Sequence, residues 1–433
     1  MTVDLREKVR PVLLGADLNA YGMALAFHSA YGLVSEAIGK YRSGPTAYSH
    51  IVDFRECPEL GDSDRALALL SELSRSRPDK TMILVPCTDE YSEFVIRNRE
   101  ELSKYFLFTC PSETLMEALH SKAGFMKLCA SAGIDIPQTH IFSASPEPAQ
   151  LSEDNTGIKY PAVLKPSVSA EYWKHPFAGM RKVFFPKDEN ECADICRRIS
   201  ESGYTGELLL QKTVMGGDCN MRVLTAFSDS SGRVRAAVLG HVLLEEHAPK
   251  ARGNHAAIIT EPLDETCIRL VRLLDSLGYQ GFSNFDMKLD PEDGTVKVFE
   301  INLRQGRSNS YLTAAGINPA ELLVRDILFS QPIGGEFDYP EVLWHSVPAS
   351  VIRKYCQDKG AAHSAEVLLH RGRSFCPYRY AGDLNGNLKR RLYVFLHGLR
   401  QRKSFDKYFP RGTVFDTERV PAVRRVIKRS AEG

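Results

Sequence analysis

Two hydrophobic patterns alternate along the first hundred residues. Val12–Leu14 is an apolar run of strand length, closed by a turn at Gly15–Asp17. From residue 19 to 31 the apolar residues Met23, Phe27 and Tyr31 then recur at the spacing of one helix face. "TMILVPCTDEY" (81–91) repeats the design, with a strand, a turn at Cys87–Asp89 and a helical segment. Strand–turn–helix units predict a parallel sheet. Ligands of such sheets sit beyond the carboxyl ends of the strands, where Asp17 and Asp89 fall. Asp is also a favoured helix N-cap, so each is a cap, a site residue, or both.

Further along, "PSETLMEALHSKAGFMKLCASAGIDIP" predicts one helix over 111–136, with Pro near its start and Gly133 near its end. "YPAVLKPS" (160–167) is a strand ending in Lys165, "ENECADICRRISES" a helix, and "GELLLQKTVMGG" (206–217) a strand entering a loop. "NMRVLTAFSD" and "RVRAAVLGHVLL" predict a hairpin turning at "SDSSGR", followed by a helix over 262–277. Beyond about 326 the pattern loosens.

The stretch "VFEINLRQGRSNS" (298–310) alternates Phe299, Ile301 and Leu303 with Glu300, Asn302 and Arg304. Successive strand residues face opposite ways. Five residues of turn chemistry, "PEDGT", join it to "NFDMKLD" (284–290). A symmetric hairpin sets Asp286 opposite Glu300, Asn284 opposite Asn302, Phe285 opposite Ile301 and Met287 opposite Phe299. Opposed carboxylates destabilise a sheet unless a cation lies between them. Asp, Glu and Asn are hard oxygen ligands that suit Mg²⁺ held together with substrate phosphates. Arg304, two residues past Asn302 on the same face, is placed to stabilise charge developing in phosphoryl transfer or on an oxyanion. The plainer reading of this face is a solvated polar surface.

Composition narrows the classes. The 433 residues are 43% hydrophobic and 25% charged with net charge +1, which predicts a globular protein with no general affinity for nucleic acid. Ten cysteines with no C-x-x-C pair read as reduced, mostly buried thiols of a cytoplasmic protein. The charged start "MTVDLREKVR" does not look like a signal peptide, and no apolar run reaches the ~18 residues of a membrane span. Neither a P-loop nor a G-x-G-x-x-G is present, so phosphates need other cations. Lys122, at the start of an apolar helical segment, and Lys165, ending a strand of hydrocarbon, are the candidates. "QKTVMGG" offers backbone groups for an adenine edge.

Taken in order, "HSKAGFMKLCASAGIDIP", "YPAVLKPS", "GELLLQKTVMGG", "GFSNFDMKLD" and "FEINLRQGRSN" resemble the ATP-grasp superfamily over roughly residues 10–325. "PVLLGADLNAYGMALAFHSAYG" and "LGHVLLEEHAPKARGNHAAIITE" resemble its carboxylate–amine ligases of the D-aspartate ligase type. The resemblance implies an α/β (α+β ATP-grasp) fold. A parallel-sheet pre-ATP-grasp domain (1–110) is expected, then an N-lobe (111–205), a C-lobe (206–330) and a basic extension (331–433). It further implies that Lys122 and Lys165 bind ATP phosphates and that Gln211, Lys212, Thr213 and Val214 line the adenine. Asp286, Glu300 and Asn302 would hold Mg²⁺, as two ions, with Mn²⁺ the alternative metal. Arg304 would stabilise the reacting carboxyl group. The expected activity forms an amide through an acyl phosphate, joining D-aspartate to the lysine side chain of a peptidoglycan precursor in the cytoplasm. Arg307 is the candidate for the acid's second carboxylate, with Ser308, Asp17 and Asp89 nearby; a surface role for Arg307 stands beside it. The loop 166–182 has only Gly179 where many relatives are glycine-rich, so its ATP contacts are not assigned, nor is the base for the amine. The alternatives are an ATP-grasp ligase for another amino acid or peptide, and a nucleotide-binding regulator without turnover.

Charge is unevenly placed: residues 351–433 hold 19 Lys/Arg against 7 Asp/Glu. In "NLKRRLYVFLHGLRQRKSF", Leu388, Leu392, Phe395, Leu396 and Leu399 share one helical face, with Lys389, Arg390, Arg391, Arg400, Arg402 and Lys403 around it. Two readings stay open. Either the apolar face packs on the core and the basic face is solvated, or the basic tail holds the acceptor or a membrane surface.

Overall fold

The computed structural model describes residues 5–143 and 147–409; the last part of the basic extension, 410–433, lies outside them. Strands β1 (Val9–Leu14), β2 (Ser35–Gly39), β3 (Val52–Glu56) and β4 (Thr81–Pro86) form a wholly parallel sheet in the order β3-β2-β1-β4. Val12, Leu13 and Leu14 are all fully buried, as a parallel strand covered on both faces requires. Helix Leu18–Tyr31 starts where Asp17 accepts hydrogen bonds from the amides of Asn19 and Ala20. Its apolar surface is shared between this sheet and helix Pro319–Ile327.

A second, antiparallel sheet comprises β5 (Thr139–Ser143), β6 (Ala162–Pro166) and β7 (Glu207–Lys212), with β7 central. The third sheet adds β8 (Met221–Ser228), β9 (Val234–Glu245), β10 (His255–Glu261), β11 (Gly281–Leu289), β12 (Val296–Asn302), β13 (Leu343–His345) and β14 (Ser374–Phe375). Its order is β12-β11-β8-β9-β10-β13-β14.

The β11–β12 hairpin pairs Asn284 with Asn302, Phe285 with Ile301 and Asp286 with Glu300, the register expected from alternation. It departs one step later. A bulge sets Met287 opposite Val298 rather than Phe299. Val298 is therefore the buried residue and Phe299 is only half-buried. The single helix expected over 111–136 is two, Glu113–His120 and Lys122–Ser131. Ser121 adopts an extended backbone, and its hydroxyl accepts from the Gly124 amide, capping the second helix. Lys122 is thus a first-turn residue, with its side chain free to leave the helix.

The segment after 326 is more ordered than its pattern suggests. β13 and β14 extend the third sheet, and Trp344 is fully buried with its indole N–H on Ser310 Oγ at 2.8 Å. Helix Leu388–Tyr408 corrects the expectation of a packed leucine face. Leu388, Leu392, Phe395, Leu396 and Leu399 point outward, and Arg390, expected on the solvated face, is 0% exposed. Arg390 is drawn inward because the core supplies what a guanidinium needs: the Asp383 carboxylate, the Ala47 carbonyl and the Tyr21 ring. No helix among the described residues is long and apolar enough to cross a membrane. All ten cysteines are free.

Candidate active site

The hairpin carries the centre of the site. Asn302 Nδ2 donates to Asp286 Oδ2 at 3.2 Å, and Arg304 Nη2 donates to Asn302 Oδ1 at 3.4 Å. Burial, and then the facing Glu300 carboxylate, push Asp286 up to about 7. An acid held that high beside a second acid has too little positive charge around it.

Arg304 is the link to the parallel sheet. Its Nη2 donates to Asp89 Oδ2 at 2.9 Å and its Nη1 to the Gln305 carbonyl at 3.0 Å. Of the two roles open to Asp89, the helix cap is not the one it takes. Thr88 caps helix Asp89–Arg97, its hydroxyl accepting from the Tyr91 amide. Asp89 is therefore free to face the arginine. Asp17 does cap its helix, and it also sits in the field of Arg307 and Arg304, which oppose the rise that burial imposes on its pKa. Both carboxylates beyond the ends of β1 and β4 thus converge on the arginines after β12.

Three long-range amide contacts lock this loop in place. Asn19 Nδ2 donates to the Gln305 carbonyl at 2.8 Å, Gln305 Nε2 to the Pro86 carbonyl at 3.1 Å, and Asn309 Nδ2 to Asn19 Oδ1 at 2.7 Å. A Cβ at Gly22 would lie 2.0 Å from Asn309 Oδ1, so helix Leu18–Tyr31 approaches the loop as closely as glycine allows. Sequence reasoning missed Asn19, Gln305 and Asn309, because nothing local marks pairs nearly three hundred residues apart.

The second sheet brings in the lysines. Lys165 sits on β6 at 9% exposure. Burial brings it down to about 8, with Glu300 opposing that shift and Lys122 and Lys182 adding to it. Lys122 is lowered by burial as well, and again Glu300 opposes. Both lysines therefore lie in the field of Glu300. Lys122 Nζ donates to Ser169 Oγ at 3.1 Å, and Lys182 completes a cationic trio. Ser169 and Lys182 belong to the loop 166–182, which also carries Lys174 and Arg181, so nothing local in the sequence marked Lys182.

Of the expected adenine segment, the side chains turn elsewhere. Gln211 Nε2 donates to Thr139 Oγ1 at 2.8 Å, Lys212 pairs with Glu292 at 2.5 Å, and Thr213 Oγ1 donates to the Pro161 carbonyl at 2.9 Å. The Val214 carbonyl accepts from Lys288 Nζ at 3.0 Å. What this segment offers a ligand is main chain.

Arg307 is half-buried. Its Nη1 lies 3.5 Å from Glu246 Oε1. Ser308 is buried, with Oγ 3.5 Å from His255 Nδ1. Burial, reinforced by Arg307, brings His255 down to about 4. On the adjoining strand end, burial and then Asp218 and Asp286 raise Glu245 to about 7, while His247 Nε2 lies 3.0 Å from Asp218 Oδ2. These β9–β10 residues are a polar wall that sequence reading did not single out, although they lie in the quoted "LGHVLLEEHAPKARGNH".

The arrangement gathers a carboxylate pair with an amide, three lysines and two arginines from two sheets, a helix and their loops, with Asp17 and Asp89 joining from the parallel sheet. It suits a polyanion lying along the lysines with a carboxyl group at the arginines. No family model matches the chain. A curated D-aspartate ligase from Enterococcus faecium (strain Aus0004) is 34% identical over 414 residues, 93% of this chain and 97% of that protein. Among solved structures, the biotin carboxylase domain of the Hydrogenobacter thermophilus 2-oxoglutarate carboxylase, bound to MgADP, ADP and bicarbonate, superposes with a TM-score of 0.56 at 15% identity, covering 77% of this chain and 72% of that one. The N5-carboxyaminoimidazole synthetase of Staphylococcus aureus gives 0.56 at 13% identity, covering 83% and 88%. These two likenesses speak to fold, which is that of ATP-grasp enzymes.

Proposed function

Because the chain belongs to the D-aspartate ligase family of ATP-grasp carboxylate–amine ligases, we propose that it joins the β-carboxylate of D-aspartate to the lysine ε-amine of a peptidoglycan precursor, consuming ATP. The observation that supports the reading most is the Asp286–Glu300–Asn302–Arg304 face set across from Lys122 and Lys165. ATP phosphates would lie along Lys122, Lys165 and Lys182, with adenine on the main chain of residues 211–214. Asp286, Glu300 and Asn302 fit Mg²⁺, as two ions or with Mn²⁺ in their place. Their oxygens are hard, and a divalent cation bound there would oppose the burial and the facing Glu300 that raise the Asp286 pKa. Bound there, the metal would neutralise and orient the triphosphate.

The reaction then has two steps. A carboxylate oxygen of the acid attacks the γ-phosphorus, ADP leaves, and an acyl phosphate remains. The amine nitrogen attacks its carbonyl carbon; phosphate leaves and the nitrogen gives up a proton. Arg304, braced by Asp89, would donate to the carbonyl oxygen as it becomes an oxyanion. Arg307, with Ser308 and His255 behind it and Glu246 beside it at 3.5 Å, would take the acid's other carboxylate. Asp17, in the field of both arginines, would help to orient them.

The test is ADP formation with D-aspartate, L-aspartate and other acids, with and without a lysine-containing precursor. D-Aspartate with the precursor should drive turnover and L-aspartate should do so poorly. Indifference to D-aspartate beside strong turnover of another acid would assign a ligase of different acid specificity. ATP binding without turnover of any acid would favour a regulator.

A further inference from the structure

The C-terminal helix Leu388–Tyr408 buries the face its sequence labels polar and exposes the one it labels apolar. Leu388, Leu392, Phe395 and Leu399 are 77, 60, 64 and 38% exposed. At about 100° per residue they fall within about 60° of arc, with Leu396 at the edge. Arg391 and Arg402 border the stripe on one side, and Lys389 and Lys403 on the other; all four are exposed. The one acid in line with it, Asp406, lies beyond its C-terminal end and is 2.5 Å from Lys354 Nζ.

The helix cannot roll to hide this stripe. Its opposite face is pinned by Arg390 against Asp383 and the Ala47 carbonyl, by Tyr393 and His397 against Tyr378, and by Phe405 in the core. We propose that the stripe and its cationic borders dock the protein on an anionic lipid bilayer, the leucines and Phe395 entering the headgroup boundary while the arginines and lysines reach lipid phosphates. Apolar centre, basic rim and full outward exposure are the requirements of an interfacial helix.

Charge argues against the other occupants. In a two-fold contact between copies, the basic borders would face basic borders. Residues 410–433, folded back, would bring six Lys/Arg against three Asp/Glu to a rim that is already cationic. An anionic surface alone complements it.

The test is sedimentation of the full chain with phosphatidylglycerol–phosphatidylcholine vesicles at physiological salt, against vesicles of phosphatidylcholine alone. It needs no nucleotide, acid or amine, so it stands apart from the reaction. The chain should pellet with the anionic vesicles only. Leu392→Ser/Phe395→Ser/Leu399→Ser and Arg391→Glu/Arg402→Glu should each lower the partition about tenfold or more, with circular dichroism and turnover of soluble substrates unchanged. Failure of the wild-type chain to bind anionic vesicles overturns the proposal, as does equal binding by both variants. Two further results also overturn it. A dimer abolished by the serine variants, without lipid binding, gives the stripe to a second copy. Vesicle binding that appears only after residues 411–433 are removed gives it to the tail.

Discussion

Replacing Arg390 with Met tests the attachment of helix Leu388–Tyr408 to the parallel sheet's helix Leu18–Tyr31 and the β2–β3 connection. Arg390 and Asp383 are both 0% exposed, with Nε 3.0 Å from Oδ2, although off the line of a good hydrogen bond. Nη1 donates to the Ala47 carbonyl at 2.8 Å, and the guanidinium lies 4.5 Å from the Tyr21 ring centroid. Met keeps the length and apolar bulk, so the main loss is charge. Removing one partner of a buried ion pair costs about 3–5 kcal/mol. Here Asp383 keeps three donors, the Tyr21 hydroxyl at 2.8 Å, the Ser49 hydroxyl at 3.0 Å and the His50 amide at 2.6 Å. They continue to hold the carboxylate, which puts the cost near the lower end, about 3 kcal/mol. Arg390→Lys keeps the charge but not the planar fork, and should lose about 1–2 kcal/mol. Arg390→Met/Asp383→Asn removes the stranded charge and should recover about 1–2 kcal/mol of the single-mutant loss. The measurement is urea unfolding followed by Trp344, which shares the buried cluster of Tyr21 and Tyr378, in a Trp173→Phe background. A single variant within about 0.5 kcal/mol of the parent, or a double variant as damaged as the sum of its parts, would refute the reasoning.

Glu300→Gln should abolish turnover while leaving the unfolding profile intact; near-parental ADP formation by the folded variant would remove the metal site. Arg304→Ala should lower kcat by about 10²-fold with little change in KM for ATP, the scale for an oxyanion donor; a rise in KM alone would make it a binding residue. Lys165 is held at about 8 against an ordinary 10.5. Its neutral form therefore prevails above about pH 8, and burying it charged costs the free protein stability below that. ATP should restore its charge, so ATP affinity should fall as pH rises through about 8, and calorimetry near pH 8.5 should show proton uptake that Lys165→Gln removes. Uptake that survives in Lys165→Gln would assign the proton elsewhere.

Part of this was legible in the sequence. The hairpin register was, because a strand's two-residue period and a short turn leave few alternatives, and an acid opposite an acid is a strong oddity. The bulge at Met287 was not: one extra residue changes no pattern until a backbone bends. The break at Ser121 was readable in principle, since a serine before Lys122 is a helix start inside a helical run. Thr88 and Asp89 are both good caps, and no local rule said which would be spent on the amides and which on Arg304. The wall of Glu245, His247, His255 and Asp218 was invisible because strand periodicity separates those residues along the chain, and only the β9–β10 pairing, with Asp218 at the Glu245 amide, brings them together.

The C-terminal helix shows where such reasoning turns over. Periodicity correctly grouped Leu388, Leu392, Phe395, Leu396 and Leu399 on one face and set Arg390 on another. One of the two readings it left open then put the apolar face inward, because burial of hydrocarbon ordinarily decides. Here the opposite face carries Arg390, Tyr393, His397 and Phe405, and the core meets it with Asp383, Tyr21, Tyr378 and the Ala47 carbonyl. The guanidinium there has a carboxylate, a carbonyl and three aromatic rings around it, and the aromatic–cation face takes the interior. The leucines are left in water at a cost that only a partner can lift. Amphipathic pattern therefore identifies which residues travel together, whereas the choice of the buried side depends on what the rest of the chain offers across the interface. For the same reason, reversing Arg390 along with its exposed neighbours would unfold the helix's anchor and say nothing about lipid, whereas Arg391 and Arg402 can be reversed with the anchor intact.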